Sequence, residues 1–222
     1  MEQHIVKILS ITPVTHDVKC FRFEKPEGYR FSPGQATEVA INKPGWEQER
    51  RPFTFTSLNE NLYLEFTIKG YHDHNGVTHQ LHRLSEGDEL LIHDVWGAIE
   101  YKGRGYFIAG GAGITPFLAI LRQLKKDDKI LGNTLFFSNK TAADVICEDE
   151  LRDILGPEAH FMLSREEKTG YGHARIDSTF LKQHVADFDQ YFYVCGPDKM
   201  IAEVNGHLAE LGAKAEVLVF EQ

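Results

Sequence analysis

Cysteine is scarce in this chain: three residues, Cys20, Cys147 and Cys195, lie far apart among 222. An odd, scattered set argues against a disulfide framework and favours a reducing compartment, the cytoplasm. Nor can three thiolates supply the four ligands of an ordinary iron–sulfur cluster. No apolar run is long enough to span a bilayer. The segment from Met1 to Ser10, broken by His4 and Lys7, lacks the continuous apolar core of a secretory signal and reads as a first strand. Cationic residues are also in the minority, 24 Lys and Arg against 33 Asp and Glu, for a net charge of −9. That balance excludes a general nucleic-acid binder, because phosphate backbones require clustered cations. A local basic patch for an acidic partner is still compatible with it.

A hydrophobic share of 42% is enough for real cores, and the length suits one large domain or two of about 100 residues. The first half reads as antiparallel β structure. Short alternating runs, Lys19 to Phe23, Glu38 to Ile41, Phe53 to Ser57, Leu62 to Lys69 and Glu89 to His93, are divided by turns such as Ser32-Pro33-Gly34, Lys43-Pro44-Gly45 and Glu86-Gly87-Asp88. One short helix, Thr78 to Leu84, interrupts them. Many short strands with a single helix predict a small closed barrel. The pattern changes at Lys102-Gly103-Arg104-Gly105. Beyond it, strands at Tyr106–Ala109, Thr134–Ser138, Ala159–Leu163, Tyr191–Cys195 and Glu216–Phe220 alternate with helices at Pro116–Lys125, Cys147–Leu155, Ser178–His184 and Asp198–Leu211. Such alternation predicts a parallel sheet covered on both faces. The expected domains are 1–103 and 104–222.

Four segments carry chemistry. Gly110-Gly111-Ala112-Gly113-Ile114-Thr115-Pro116 follows an apolar strand and opens a helix. Its glycines permit positive φ and close approach to a ligand; Thr115 suits the N-cap and Pro116 the first helical position. The helix start then offers N–H groups and a positive dipole end to a pyrophosphate. A tight turn without a ligand has the same composition. In Arg51-Pro52-Phe53-Thr54 a planar cation suits a phosphate, an aromatic face suits a ring system, and a short hydroxyl suits a ring nitrogen. An ordinary strand with alternating aromatics reads the same way. Gly76-Val77-Thr78 opens the barrel's helix and forms either a second phosphate cradle or a simple cap. Cys195-Gly196-Pro197 closes a parallel strand, at the sheet edge where α/β proteins bind ligands, although a small buried hydrophobe is cysteine's commoner role.

In this order and spacing the segments resemble the ferredoxin–NADP reductase family, in particular bacterial flavodoxin and ferredoxin reductases without a fused iron–sulfur domain. The resemblance covers nearly the whole chain. It implies a flavin-binding β-barrel followed by a nucleotide-binding α/β domain. Arg51, with Pro52 beside it, would meet the flavin phosphates, Phe53 the ring or ribityl portion, and Thr54 the region of N5. Thr67-Ile68-Lys69 would run alongside the flavin, and Gly76, Val77 and Thr78 would hold its pyrophosphate. Gly111, Gly113, Ile114, Thr115 and Pro116 would receive the dinucleotide. Cys195, with Gly196 and Pro197, would lie near the nicotinamide, and Phe220 and Glu221 beside the ring. Thr54, Cys195 and Glu221 are the expected catalytic positions. The chain departs from the family's pattern in having Phe53 for tyrosine, Thr54 for serine, and Asp94-Val95-Trp96-Gly97 for a Gly-Pro-x-Gly turn, which makes Trp96 a candidate cover for part of the flavin.

The flavin is expected to be FAD, with FMN the alternative. Ser164-Arg165, where the adenosine ribose would lie, favours the 2′-phosphate of NADPH; Glu166 and Glu167 beside them would instead serve NADH. His72, His74, His79 and His82 cluster in sequence but fall in the phosphate turn without a companion cysteine, so no metal is expected. The implied activity is hydride exchange between nicotinamide and flavin, with electrons passed to a separate protein such as flavodoxin or ferredoxin. The alternatives are a reductase of free flavin and an electron-transfer subunit of a larger enzyme. Nothing in the sequence indicates the oligomeric state.

Overall fold

The computed structural model describes residues 3–73, 75–97 and 99–220. It divides into two compact units, Met1–Gly97 and Ala98–Gln222.

The first unit is a six-stranded antiparallel sheet built from β1 (His4–Pro13), β2 (Val18–Glu24), β3 (Ala36–Ile41), β4 (Arg51–Thr54), β5 (Tyr63–Lys69) and β6 (Glu89–Trp96), in the order β4-β3-β6-β1-β2-β5. The period of two sends Phe21 and Phe23, Val39 and Ile41, Leu64, Phe66 and Ile68, and Leu90 and Ile92 to one buried cluster. Register shifts in β1 and between β3 and β6 bend the sheet. It curls until its edge strands meet: Thr56, just past β4, donates its N–H to the Glu65 carbonyl of β5 at 2.8 Å. The sheet is thus the expected closed barrel. A polar clasp reinforces the seam. The Glu65 carboxylate, 3% exposed, accepts from the Thr56 hydroxyl at 2.9 Å and from Arg22 Nε at 2.9 Å, so a buried charge is paired on both oxygens. Helix α1 (Val77–Leu81) sends Val77 and Leu81 into the barrel core.

The second unit holds β7 (Gly105–Gly110), α2 (Thr115–Lys126), β8 (Thr134–Asn139), α3 (Glu148–Leu155), β9 (Ala159–Leu163), α4 (Ser178–His184), β10 (Tyr191–Cys195), α5 (Asp198–Glu210) and β11 (Leu218–Phe220). All pairings are parallel, in the order β11-β10-β7-β8-β9. Tyr106, Ile108, Phe136, Phe192 and Val194 face one layer containing Phe180 and Leu181 of α4 and Val204 and Leu208 of α5. Their neighbours face the other way, where Phe107 meets Phe117 of α2 edge-on at 5.2 Å. Both faces are therefore covered, and the strands are apolar throughout, as a buried parallel sheet requires.

The segment entering β7 is fastened by Tyr193, whose buried hydroxyl accepts the N–H groups of Lys102 (2.9 Å) and Gly103 (3.0 Å) and donates to the Gly103 carbonyl (2.7 Å). Burial pushes that phenol up to about 12, so it stays protonated and holds the segment entering β7 to the second unit. Among the described residues, no helix is long and apolar enough to cross a membrane.

Candidate functional site

The first unit supplies one set of candidate residues. Strand β4 is an edge, so Arg51 is exposed; its guanidinium donates to the Arg50 carbonyl at 2.6 Å and lies 3.7 Å from Glu49. Phe53, on the same side of the strand as Arg51, is half-buried, packed against the barrel core with its ring 5.9 Å from that of Phe66. The Thr54 hydroxyl makes no hydrogen bond within the unit. The regular strand stops at Thr54 rather than continuing to Ser57 as expected, because Phe55 and Thr56 turn to close the barrel.

Thr67 directs its hydroxyl to that of Thr56 at 3.3 Å. Ile68 sends its side chain into the core, and its carbonyl accepts from His82 Nε2 at 2.9 Å. Lys69 is paired with Asp17 at 2.6 Å. All three side chains are committed to the barrel. Gly76 is the N-cap of α1, and an added Cβ there would meet open space. Val77 is in the core, while Thr78 lies inside the first turn and accepts the Tyr71 N–H at 3.4 Å. Among the histidines, His72 and His79 face each other at 3.2 Å between their Nδ1 atoms, whereas burial lowers the pKa of His82 and keeps it neutral. His74 lies outside the described residues.

The second unit brings two distant motifs together. From β7 the chain proceeds outward through β8 to β9, then returns to place β10 on the opposite side of β7. Ligands of open α/β sheets bind at this kind of reversal, beyond the carboxyl ends of the two strands. Those ends are Gly110 and Cys195, and Ala109 and Cys195 are register partners. A Cβ on Gly196 would lie 3.1 Å from the Gly110 nitrogen. The Gly110 to Pro116 turn and the Cys195 to Pro197 turn are thus one structure, and α2 and α5 both begin there. The first N–H groups of α5 lack intrahelical acceptors and carry a positive dipole end, whereas at α2 the Thr115 N–H is already bonded to the Ala112 carbonyl.

Two details of the turn correct the sequence reading. Gly111 to Ile114 form a short 3-10 turn that runs directly into α2, so Ile114 is the N-cap and Thr115 lies within the helix. The glycines chiefly admit neighbouring protein: Gly110 faces Met200 and Gly113 faces the Cys195 carbonyl, while only Gly111 (φ 53°) has open space around it. Cys195 carries a reduced thiol and is 6% exposed.

Ser164 and Arg165 continue from β9. The Ser164 hydroxyl donates to the Asn139 carbonyl (3.2 Å) and the Arg165 N–H to the Lys140 carbonyl (2.9 Å). No partner engages the Arg165 guanidinium within the unit. Glu166 is committed, accepting the Ala142 N–H at 2.8 Å, and Glu167 is exposed near His173. Phe220 is half-buried beside its register partner Val194, and Glu221 lies outside the described residues. Sequence reasoning missed Lys140, a second cation beside Arg165, and Asn139, whose buried amide has no partner on either atom. Asn139 ends an apolar parallel strand and Lys140 follows it, which was the available signal.

Comparison with known proteins decides the family. The oxidoreductase FAD-binding domain model matches residues 5–101 and the oxidoreductase NAD-binding domain model residues 107–206. NADH-cytochrome b5 reductase 2 of Coccidioides immitis (strain RS) is 30% identical over 223 residues, 90% of this chain and 67% of the relative. The chain belongs to the ferredoxin reductase-like family. It carries an oxidoreductase FAD-binding domain followed by an oxidoreductase NAD-binding domain. Nitrate reductase [NADH] 2 of Phaseolus vulgaris is 29% identical over 96% of this chain, which spans only 28% of that longer protein. The crystal structure of a ferredoxin NADP+ reductase from Neisseria gonorrhoeae with bound FAD and NADP superposes with a TM-score of 0.85, covering 100% of this chain and 98% of that one at 20% identity. This last likeness confirms the fold.

The residues present fit the family's two cofactors. The first unit offers an unpartnered Thr54 hydroxyl, an exposed cation on an edge strand and open space at Gly76. The second offers two helix starts at the sheet's reversal and open space at Gly111.

Proposed function

We propose that the chain is an NAD(P)H-dependent reductase that passes electrons to a separate one-electron protein carrier, such as a ferredoxin or flavodoxin. When bound, the nicotinamide and flavin supply hydride chemistry and the conversion of two-electron to one-electron transfer. The protein's own part is to anchor, orient and exclude water. Arg51 meets the flavin phosphates together with the first turn of α1 at Gly76 to Thr78. Phe53 offers its exposed portion to the ribityl chain at the edge of the strand, and the Thr54 hydroxyl offers a hydrogen bond near N5. Gly111 and Gly113 to Pro116 receive the dinucleotide pyrophosphate. Cys195, backed by Gly196 and Pro197, shapes the nicotinamide pocket, and Phe220 and Glu221 complete the tail's contribution.

The observation that carries this reading is the contact of the Gly110 and Gly196 turns at the reversal between β7 and β10. For the nucleotide we infer NADPH, because Arg165 is uncommitted beside Lys140 while Glu166 is spent on Ala142. The test is a visible spectrum of the purified protein before and after anaerobic NADPH or NADH, followed by addition of oxidised ferredoxin or flavodoxin. Bleaching of a bound flavin by NADPH, then reoxidation by the carrier, is expected. A colourless protein, or a flavin that neither nucleotide reduces, refutes the proposal. That the chain spans 28% of a plant nitrate reductase supports a second reading, in which it serves as the reductase part of a larger assembly.

A further inference from the structure

One row of side chains crosses three strands of the barrel. Ala36 of β3 is the register partner of Thr54 in β4 on one side and of Trp96 in β6 on the other. Directly paired residues place their side chains on one face. The adjacent row, Phe53–Thr37–Val95, points the opposite way, and Phe53 and Val95 pack on the barrel core. The outer row therefore holds a hydroxyl without a partner in the unit, a buried methyl group, and an indole that is 45% exposed.

Single exposed apolar residues are commonplace. Trp96 differs in its company. Two strand spacings put it roughly 10 Å from Thr54, a span comparable to a fused three-ring system, and the residue between them is as small as a side chain with a Cβ can be. Among the described residues, the indole makes no hydrogen bond and no ring contact. The other tryptophan, Trp46, is partly buried against the core. Large aromatic faces are worth covering, by ring stacking above all.

We propose that Trp96 is a wall of the flavin site: its indole packs against the isoalloxazine, while Thr54 meets the ring near N5. The inference rests on the functional reading above. An electron-rich indole in contact with a flavin quenches the flavin's emission, so contact has a readout independent of turnover.

The experiment compares wild type, Trp96→Phe, Trp96→Ala and, as control, Trp46→Phe, each loaded with FAD. Emission yield of the bound flavin and the dissociation constant for FAD are measured, with circular dichroism to verify folding. Trp96→Phe is expected to keep its flavin and brighten it several-fold. Trp96→Ala is expected to weaken FAD binding about tenfold, or about 1.4 kcal/mol, and the control to do neither. Should Trp96→Ala not fold, the Phe variant decides by emission alone. Unchanged emission and affinity in the Trp96 variants, with flavin held by wild type, overturn this proposal only. A wild type that takes up no FAD overturns the functional reading and this proposal with it.

Discussion

Gly113 and Cys195 touch backbone to backbone: a Cβ built on Gly113 would lie 2.3 Å from the Cys195 carbonyl oxygen. No rotamer change can relieve a clash between a Cβ and a carbonyl, so the strand end or the turn must move. Gly113→Ala should therefore cost about 3 kcal/mol, at the upper end of ordinary overpacking. Gly111→Ala meets open space and bears only the left-handed φ of 53°, a cost of about 1–2 kcal/mol. Denaturant unfolding of both variants checks the order. Equal destabilisation would show that the close approach is not tight in solution.

Cys195→Ala separates orientation from retention. The cysteine lies in the second unit, at the end of β10, so flavin content should be unchanged. Loss of a properly shaped nicotinamide pocket should slow flavin reduction about tenfold. Anaerobic stopped-flow measures the hydride step directly, and equal rates in wild type and variant would remove Cys195 from the mechanism.

Arg165→Ala probes nucleotide choice. A guanidinium bonded to a 2′-phosphate contributes about 1.5–3 kcal/mol, so NADPH should lose about 10- to 100-fold in kcat/KM while NADH changes little. A preference for NADH in wild type, unaltered by the substitution, would assign the ribose to the neighbouring glutamates.

Asp17 ties acid stability to the barrel. Burial works against its charge, but the Lys69 ammonium at 2.6 Å and the Thr15 hydroxyl at 3.1 Å outweigh that effect and hold the carboxyl below its ordinary range. A depressed carboxyl contributes stability that is fully present above its unfolded pKa and is lost as pH falls through the folded one. Asp17→Asn should thus cost up to about 1 kcal/mol near pH 7. The gap should close in acid, below about pH 4. Thermal unfolding across that range tests it; a gap constant with pH would deny the pair its electrostatic role.

Much of the architecture was legible because periodicity is local. Alternating residues such as Phe21 and Phe23, or Leu64 and Phe66, announce a one-sided strand, and the apolar runs Tyr106–Ala109 and Tyr191–Cys195 announce buried parallel ones. One long-range tie was not legible: Tyr193 reaches back across some ninety positions of sequence to fasten Lys102 and Gly103. The partners of Thr67, Ile68 and Lys69 were not legible. Whether a β residue faces a ligand or its own barrel depends on partners, here Thr56, the core and Asp17, that composition does not reveal.

By itself the sequence determined two domains of different texture, their element types and the turns that break them, because these follow from residue spacing and backbone preference over a few positions. Tertiary structure alone decided which glycines face open space and which face neighbours, which cations are spent, and that Thr54, Ala36 and Trp96 form one row. Those outcomes depend on register and packing between segments far apart in the chain, where side chains compete for the same partners.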